Sequence, residues 1–267
     1  IGDASGMFPI DSKIRNYNAK MLEQFVDPDN DHYGLDGWFN EKALLLSAGV
    51  PSVSSVDGTL TVNLSDPTIE KAMNWSYDLY NKGLVFDLSL YDWNIQPQFM
   101  GEGKELFYIT GMYALEGAPD IWTVSYGDPE DVMFVPIPRA DDSDKYYLPA
   151  GLDAYMLCKG AQNPEGVARF MECIIAASYD ENAVAIADQK LKDVYGWTDE
   201  MVEMKHTINK MTAENPMYSI HTGCPTDLYN ILDSGEYGIR APFYGLDWPS
   251  VRESLEDAAG VLIDEFN

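Results

Sequence analysis

The sequence has little positive charge and no long apolar run. Its 267 residues include 17 Lys and Arg against 44 Asp and Glu, which gives a formal net charge of −27. Such an acidic surface repels phosphate groups, so we exclude binding to nucleic acid through a basic groove and disfavour docking on an anionic membrane. No apolar stretch approaches the roughly 20 residues that span a bilayer. We therefore expect no membrane insertion of this segment.

The residue types that bind metals or form disulfides are scarce. The three cysteines, Cys158, Cys173 and Cys224, are too few and too scattered for a disulfide framework or a zinc site. We expect them to be small buried hydrophobic side chains. The three histidines stand alone, without the paired spacing of a metal-binding helix. We therefore expect no cofactor and no metal, with one weak exception.

The exception is an acidic loop with part of a calcium-binding pattern. Asp27, Asp29 and Asp31 alternate as the first ligands of an EF-hand loop do. However, His32 stands where that loop needs a glycine, and Trp38 stands where it needs a bidentate glutamate. We favour a solvated turn and keep calcium binding as the alternative.

Catalytic motifs are also missing. No Gly-x-Ser-x-Gly sequence is present. The turn 101–104 fails as a phosphate loop, because Gln98 and Glu105 replace the required glycine and the required Ser or Thr. We expect no catalytic residue and a protein that is not an enzyme. Because 44 carboxylates make some Asp or Glu pair inevitable, a carbohydrate-active hydrolase that uses two carboxyl groups stays as an alternative.

The residues that are present predict a folded α/β protein. Hydrophobic residues make up 46% of the chain and aromatic residues 12%, as in globular domains. Asp66-Pro67 and Asn163-Pro164 each combine a capping side chain with a proline at the first helical position. We predict helices over 11–26, 66–83, after 163, over 184–215 and from 249, strands at 59–63, 105–110, 132–137 and 154–158, and loops at 27–37 and 52–58. This alternation favours α/β layers.

Aromatic residues at the ends of elements are the best indication of a binding site. Tyr113 follows the carboxyl end of a predicted strand, where open α/β sheets bind ligands. Trp248 precedes the last helix, and Trp38 follows a polar loop. Flat rings suit the apolar faces of sugars, but aromatic residues at the rim of a core give the same pattern. From the pattern alone, both interpretations stay open.

Five stretches in order resemble the extracellular solute-binding proteins of ABC importers, in their sugar-binding branch, family 1. Each motif is weak alone, and their shared order makes the set specific. The stretches are DGTLTVNLSDPTIEKAMNWSYDLYNKGLV (57–85), FMGEGKELFYITGMYALEG (99–117), VMFVPIPRADD (132–142), LPAGLDAYMLCKGAQNPEGVARFMECI (148–174) and WPSVRESLEDAAGVLIDEFN (248–267).

The resemblance covers about residues 33–267 and implies a periplasmic-binding-protein type II-like α/β fold, in which two hinged lobes close on a ligand. It implies that residues 1–148 form the C-terminal-lobe core with a leading crossover helix. Residues 149–222 would return to the N-terminal lobe, and residues 223–267 would form closing helices of the C-terminal lobe. We expect this chain to lack most of the N-terminal lobe, so that 149–222 must repack or lean on another chain.

The resemblance also implies a set of ligand-binding residues. Its aromatic members would stack on the sugar, and its carboxylates and amide would bind hydroxyl groups. The set comprises Tyr113, Trp248, Trp38, Asn40, Glu41, Glu116 and Asp153.

The function implied is capture of a sugar or oligosaccharide for import through the permease subunits of an ABC transporter. The protein would be extracellular or periplasmic, anchored to the cell surface as a lipoprotein in its full-length form. The alternatives are a binding protein of the same fold for a peptide or other small solute, the hydrolase mentioned above, and a structural module without a small ligand.

Overall fold

The fold mixes helices with small two-stranded sheets. A computed structural model describes residues 14–37, 44–86, 96–119, 127–140, 143–151, 155–218, 224–234 and 237–267. The mixture is compatible with the expected α/β class. Within these ranges, no helix combines the length and apolar character that crossing a membrane requires.

The elements follow the chain in this order. The helices are α1 (Ile14–Phe25), α2 (Pro67–Asn81), α3 (Gln96–Gly101), α4 (Met112–Gly117), α5 (Pro164–Ser178), α6 (Glu181–Tyr195), α7 (Asp199–Glu214), α8 (Thr226–Leu232) and α9 (Trp248–Phe266). The strands are β1 (Tyr33–Gly37), β2 (Val53–Val56), β3 (Thr59–Val62), β4 (Glu105–Ile109), β5 (Leu148–Ala150) and β6 (Pro216–Tyr218).

Capping residues fix where the helices begin, as the sequence predicted. The Asp66 side chain accepts a hydrogen bond from the Thr68 N–H at the start of α2, and Asn163 accepts one from Gly166 at the start of α5. Gly83, at φ +66°, follows the end of α2 in a conformation that favours glycine. The predicted helices at 66–83, after 163 and over 184–215 are confirmed.

A parallel pair of strands replaces part of the loop predicted over 27–37. Tyr33–Gly37 forms β1, which pairs with β4 in a parallel register that places Leu35 opposite Phe107. The prediction was wrong here because this strand contains two glycines and lacks alternating apolar residues. Gly34 is required by packing, since a Cβ at this position would collide with the carbonyl of Leu84.

The segment 52–58, predicted as a connector, contains a second missed strand. Val53–Val56 forms β2, which pairs antiparallel with the correctly predicted β3. Asp57 and Gly58 make the two-residue turn, both with positive φ. An Asp-Gly pair between two β-branched runs is a strong hairpin signal.

Two other predicted strands are not formed in the described residues. Residues 132–137 are irregular, because Pro136 and Pro138 lack the N–H groups that a sheet needs. Phe134 instead packs edge-on against Trp197, with ring centroids 4.9 Å apart. Residues 155–158 are also irregular and exposed. The nearby strand β5 lies earlier and pairs with β6 in parallel.

Three hydrophobic clusters form most of the described core. The first joins α2, the β2–β3 hairpin, α8 and α9; the second surrounds β1 and β4. The third packs α6 and α7 onto α4 through Leu115, Leu191, Trp197 and Met201. Leu191 on α6 and Met201 on α7 therefore belong to the same cluster as Leu115, on the helix that carries Tyr113.

Candidate functional site

Tyr113 lies in the first turn of α4, just beyond the carboxyl end of β4. Its side chain is 66% exposed, so an aromatic surface is open to solvent at this end of the strand. The ring lies against the backbone of Gly111, because a Cβ at Gly111 would overlap the ring atoms. Glycine at this position therefore lets one part of the Tyr113 ring pack against the backbone, while the rest of the ring is exposed to solvent.

Glu116 lies one helical turn after Tyr113. This i, i+3 spacing makes the two side chains neighbours on the helix surface. The Glu116 side chain is 40% exposed, and its Oε1 atom lies 3.7 Å from the Nζ of Lys205 on α7. A flat ring and a carboxylate thus stand side by side, both within reach of solvent.

Lys205 and Asp188 form an ion pair that joins α7 to α6 beside Glu116. Lys205 is a buried lysine, only 6% exposed, and its Nζ donates a hydrogen bond of 2.5 Å to Asp188 Oδ1 on α6. The second oxygen of Asp188 lies 2.7 Å from His206 Nε2. A buried ammonium group is stable only when it is paired, as Lys205 is here.

The charge of Asp188 is favoured by these partners. Burial alone would raise its pKa, but the hydrogen bonds from Lys205 and His206 outweigh that effect and hold the pKa of Asp188 below its ordinary value. Asp188 is therefore an ionised bridge between α6 and α7. Its partner Lys205 extends the bridge to Glu116 on α4.

Trp248 is not available to a ligand in this structure, contrary to the role implied for it. Its side chain is 0% exposed and belongs to the cluster around α2 and α9. Asp247 caps α9 by accepting a hydrogen bond from Ser250 N–H, which makes Trp248 the first helical residue. From this position the ring turns into the core, so the core interpretation replaces the stacking one.

Four expected ligand contacts lie outside the described residues. They are Trp38, Asn40, Glu41 and Asp153. Of the seven implied contacts, Tyr113 and Glu116 are described and exposed, and both lie on α4.

The acidic loop forms the solvated turn that we favoured. Asp27 accepts a hydrogen bond from the Asn30 side chain at 2.7 Å, while Asp29 and Asp31 are exposed. Among the residues that the structure describes, no three His, Cys, Asp or Glu side chains are arranged to hold a metal ion. The calcium alternative has no structural support there.

The sequence patterns did not reveal a buried pair of carboxyl groups between β1 and β4. Burial, together with the neighbouring Asp36, raises the pKa of Glu105 to about 10. Burial also raises the pKa of Asp36, whose Oδ1 accepts a hydrogen bond of 2.6 Å from Gly37 N–H. The two groups interact, although no hydrogen bond of good geometry joins them. Glu105 is therefore protonated at neutral pH, and both side chains are closed to a substrate.

A large apolar surface remains uncovered on α5 and the segment before it. No residue of α5 is buried. We define the α5 surface by its exposed apolar side chains, which are Tyr155, Met156, Leu157, Val167, Phe170, Ile174, Ile175 and Tyr179. Single exposed hydrophobic residues are normal on a protein surface, but eight large ones within 25 residues of sequence are more than that, and such clusters mark interaction sites.

The same surface carries no net charge and two exposed thiols. Within 155–179, two basic residues offset two acidic ones, although the whole chain has a net charge of −27. Cys158 and Cys173 are exposed here, and Cys224 is half-buried, so the expectation that all three are buried was wrong. The sequence predicted the helix but not the exposure of its apolar residues, because a helical pattern does not identify the packing partner.

Comparison with known protein families and with curated proteins gave no match. The family resemblance therefore stays a prediction.

Proposed function

We propose that this chain is the C-terminal-lobe part of an extracellular solute-binding protein that captures a sugar or oligosaccharide for an ABC importer. The observation that carries the proposal is the exposed Tyr113 ring beside the Glu116 carboxylate, beyond the carboxyl end of β4. An aromatic face can cover the apolar face of a pyranose ring, and a carboxylate can accept hydrogen bonds from its hydroxyl groups. Capture is an equilibrium step without bond breakage.

We further propose that an N-terminal lobe of the same protein covers the α5 surface. Large apolar side chains and few charges are typical of the buried centre of a protein interface, and the α5 surface has both. Its lack of net charge also distinguishes it from the rest of this acidic chain. Lobe closure would then complete the ligand site from both sides.

The remaining parts of the proposal follow from the family resemblance. The full-length protein would be exported, anchored as a lipoprotein, and would deliver its ligand to the permease subunits without acting as an enzyme. Release of product from chromogenic glycosides would contradict the last statement and favour the hydrolase alternative.

Calorimetric titration with a panel of neutral oligosaccharides tests the sugar assignment. The 267-residue chain and the full-length product of its gene are titrated in parallel. We expect clear binding by the full-length protein and much weaker binding by the 267-residue chain, because affinity requires contacts from both lobes. Equal, tight binding by both forms would refute the shared cleft. No binding by either form would refute the sugar assignment.

Tyr113→Ala and Tyr237→Ala provide a matched pair of variants. The two tyrosines are similarly exposed, at 66% and 63%, so both substitutions remove an exposed ring with little effect on folding. We expect Tyr113→Ala to weaken sugar binding about tenfold or more, in line with the roughly 1.4 kcal/mol that a tenfold change represents. Tyr237→Ala should leave binding unchanged. Equal effects of the two variants would remove Tyr113 from the site.

A further inference from the structure

We infer that the site beside Tyr113 selects neutral or basic sugars and rejects acidic ones, with Glu116 as the residue that sets this preference. The inference rests on the proposed function and adds a ligand class to it. It depends on which charges of the Glu116, Lys205, Asp188 and His206 cluster remain available to a ligand.

The positive charge of Lys205 is not available to an anionic ligand. Its side chain is 8% exposed, and its ammonium group lies 2.5 Å from Asp188 and 3.7 Å from Glu116. A ligand carboxylate or phosphate would have to displace Asp188 and enter a closed space to reach it. Removing Asp188 from the lysine would leave a buried charge without its closest partner, which is strongly unfavourable.

His206 is likewise engaged by Asp188. Its Nε2 lies 2.7 Å from Asp188 Oδ2, so the ring nitrogen that faces the cluster is already bonded to a carboxylate.

Glu116 is the charged group of the cluster that lies on the same helix as Tyr113 and keeps a large exposed fraction. The ammonium group of Lys205 lies 3.7 Å from the Glu116 carboxylate and offsets part of its charge, but Glu116 and Asp188 together outweigh that one positive charge. A ligand resting on the Tyr113 ring would therefore meet a net negative charge at a distance of about one helical turn. At a separation of about 6 Å near a protein surface, a net unit of like charge is enough to weaken binding about tenfold.

The full-length protein can be titrated with matched trisaccharides that differ only in charge. One set contains β-1,4-linked mannose and mannuronic acid trimers, and a second contains α-1,4-linked galactose and galacturonic acid trimers. The β-1,4-linked glucosamine and glucose trimers supply a basic probe and its neutral match. We expect each acidic trimer to bind at least about tenfold more weakly than its neutral match, with the difference shrinking at high salt.

Glu116→Gln is the decisive variant, because it keeps the size of the side chain and removes its charge. We expect it to reduce the discrimination against the acidic trimers severalfold and to remove any advantage of the glucosamine trimer. Glu253→Gln, at an exposed position of α9, should change neither ratio.

The outcomes separate the two proposals. Acidic trimers that bind as well as or better than their neutral matches would overturn the charge preference and leave the sugar-binding function standing. Unchanged ratios in Glu116→Gln would overturn the role of Glu116. No binding of any trimer, acidic, neutral or basic, would overturn the proposed function itself.

Discussion

Replacing Glu105 by glutamine should stabilise the protein at neutral and alkaline pH. The pKa of Glu105 rises from 4.5 to about 10 on folding, first because burial disfavours its charge and second because Asp36 lies beside it. The folded protein therefore holds a proton that the unfolded chain releases at neutral pH. The contribution of Glu105 to stability is fully present below pH 4.5 and is lost as the pH rises toward 10.

The slope of this loss follows from proton linkage. One proton bound only by the folded state changes the free energy of unfolding by about 1.4 kcal/mol for each pH unit. Glutamine has the shape of the protonated acid and does not titrate. We therefore compare the free energy of unfolding of Glu105→Gln with that of the original protein at each pH. From pH 5 to pH 8 we expect this difference to increase by about 4 kcal/mol in favour of the variant.

Urea unfolding followed by circular dichroism at pH 5, 6, 7 and 8 measures this gain. The other carboxylates titrate in both proteins, so the difference between the two curves isolates Glu105. Glu102→Gln is the control, because Glu102 lies in the same segment but forms an exposed ion pair with Lys104. Exposed pairs contribute little, and the control should stay within about 1 kcal/mol at every pH. A gap between Glu105→Gln and the original protein that does not widen with pH would refute the reasoning.

Three further predictions concern the α5 surface and the end of the chain. Phe170→Ser should change the free energy of unfolding of the 267-residue chain by less than about 0.5 kcal/mol in urea titrations, because the ring is exposed. The same substitution should weaken association of the chain with a separately produced N-terminal lobe, measured by sedimentation. Cys173 should react rapidly with a thiol reagent in the 267-residue chain and at least about tenfold more slowly in the two-lobed protein, because opening of the interface would then limit access. Asn267→Ala should lower the free energy of unfolding by about 1–2 kcal/mol in urea titrations, since the amide makes two hydrogen bonds with the Leu60 backbone, at 2.8 and 3.0 Å.

Local chemistry explains which elements the sequence could predict. Helices α2 and α5 begin with a capping side chain followed by proline, and these effects act within a few residues of the chain. Strand β1 could not be predicted in this way, because its glycines are required by contacts with residues distant in sequence, Leu84 for Gly34 and Ile109 for Gly37. Strand β2 was predictable in principle, since the Asp57-Gly58 turn is a local signal.

The candidate site also contains residues that local sequence signals identify and residues that only distant contacts bring together. Tyr113 could be selected from the sequence because it follows a predicted strand, and Glu116 was implied by the family resemblance. Lys205 and Asp188 could not, since the chain brings them to Glu116 from two other helices. Trp248 shows the limit of the aromatic argument: a ring at the first turn of a helix can face either the core or the solvent, and the packing of α2 against α9 decides which.

The contrast between α5 and its neighbours indicates which residues the proposed second lobe would cover. The resemblance implied that all of 149–222 returns to the N-terminal lobe. However, α6 and α7 contribute Leu191 and Met201 to the cluster around α4, and Lys205 adds an ionic link to the same helix. Leu191 on α6 and Met201 on α7 are buried, whereas no residue of α5 is buried. The second lobe that we propose would therefore cover 155–179 and not all of 149–222.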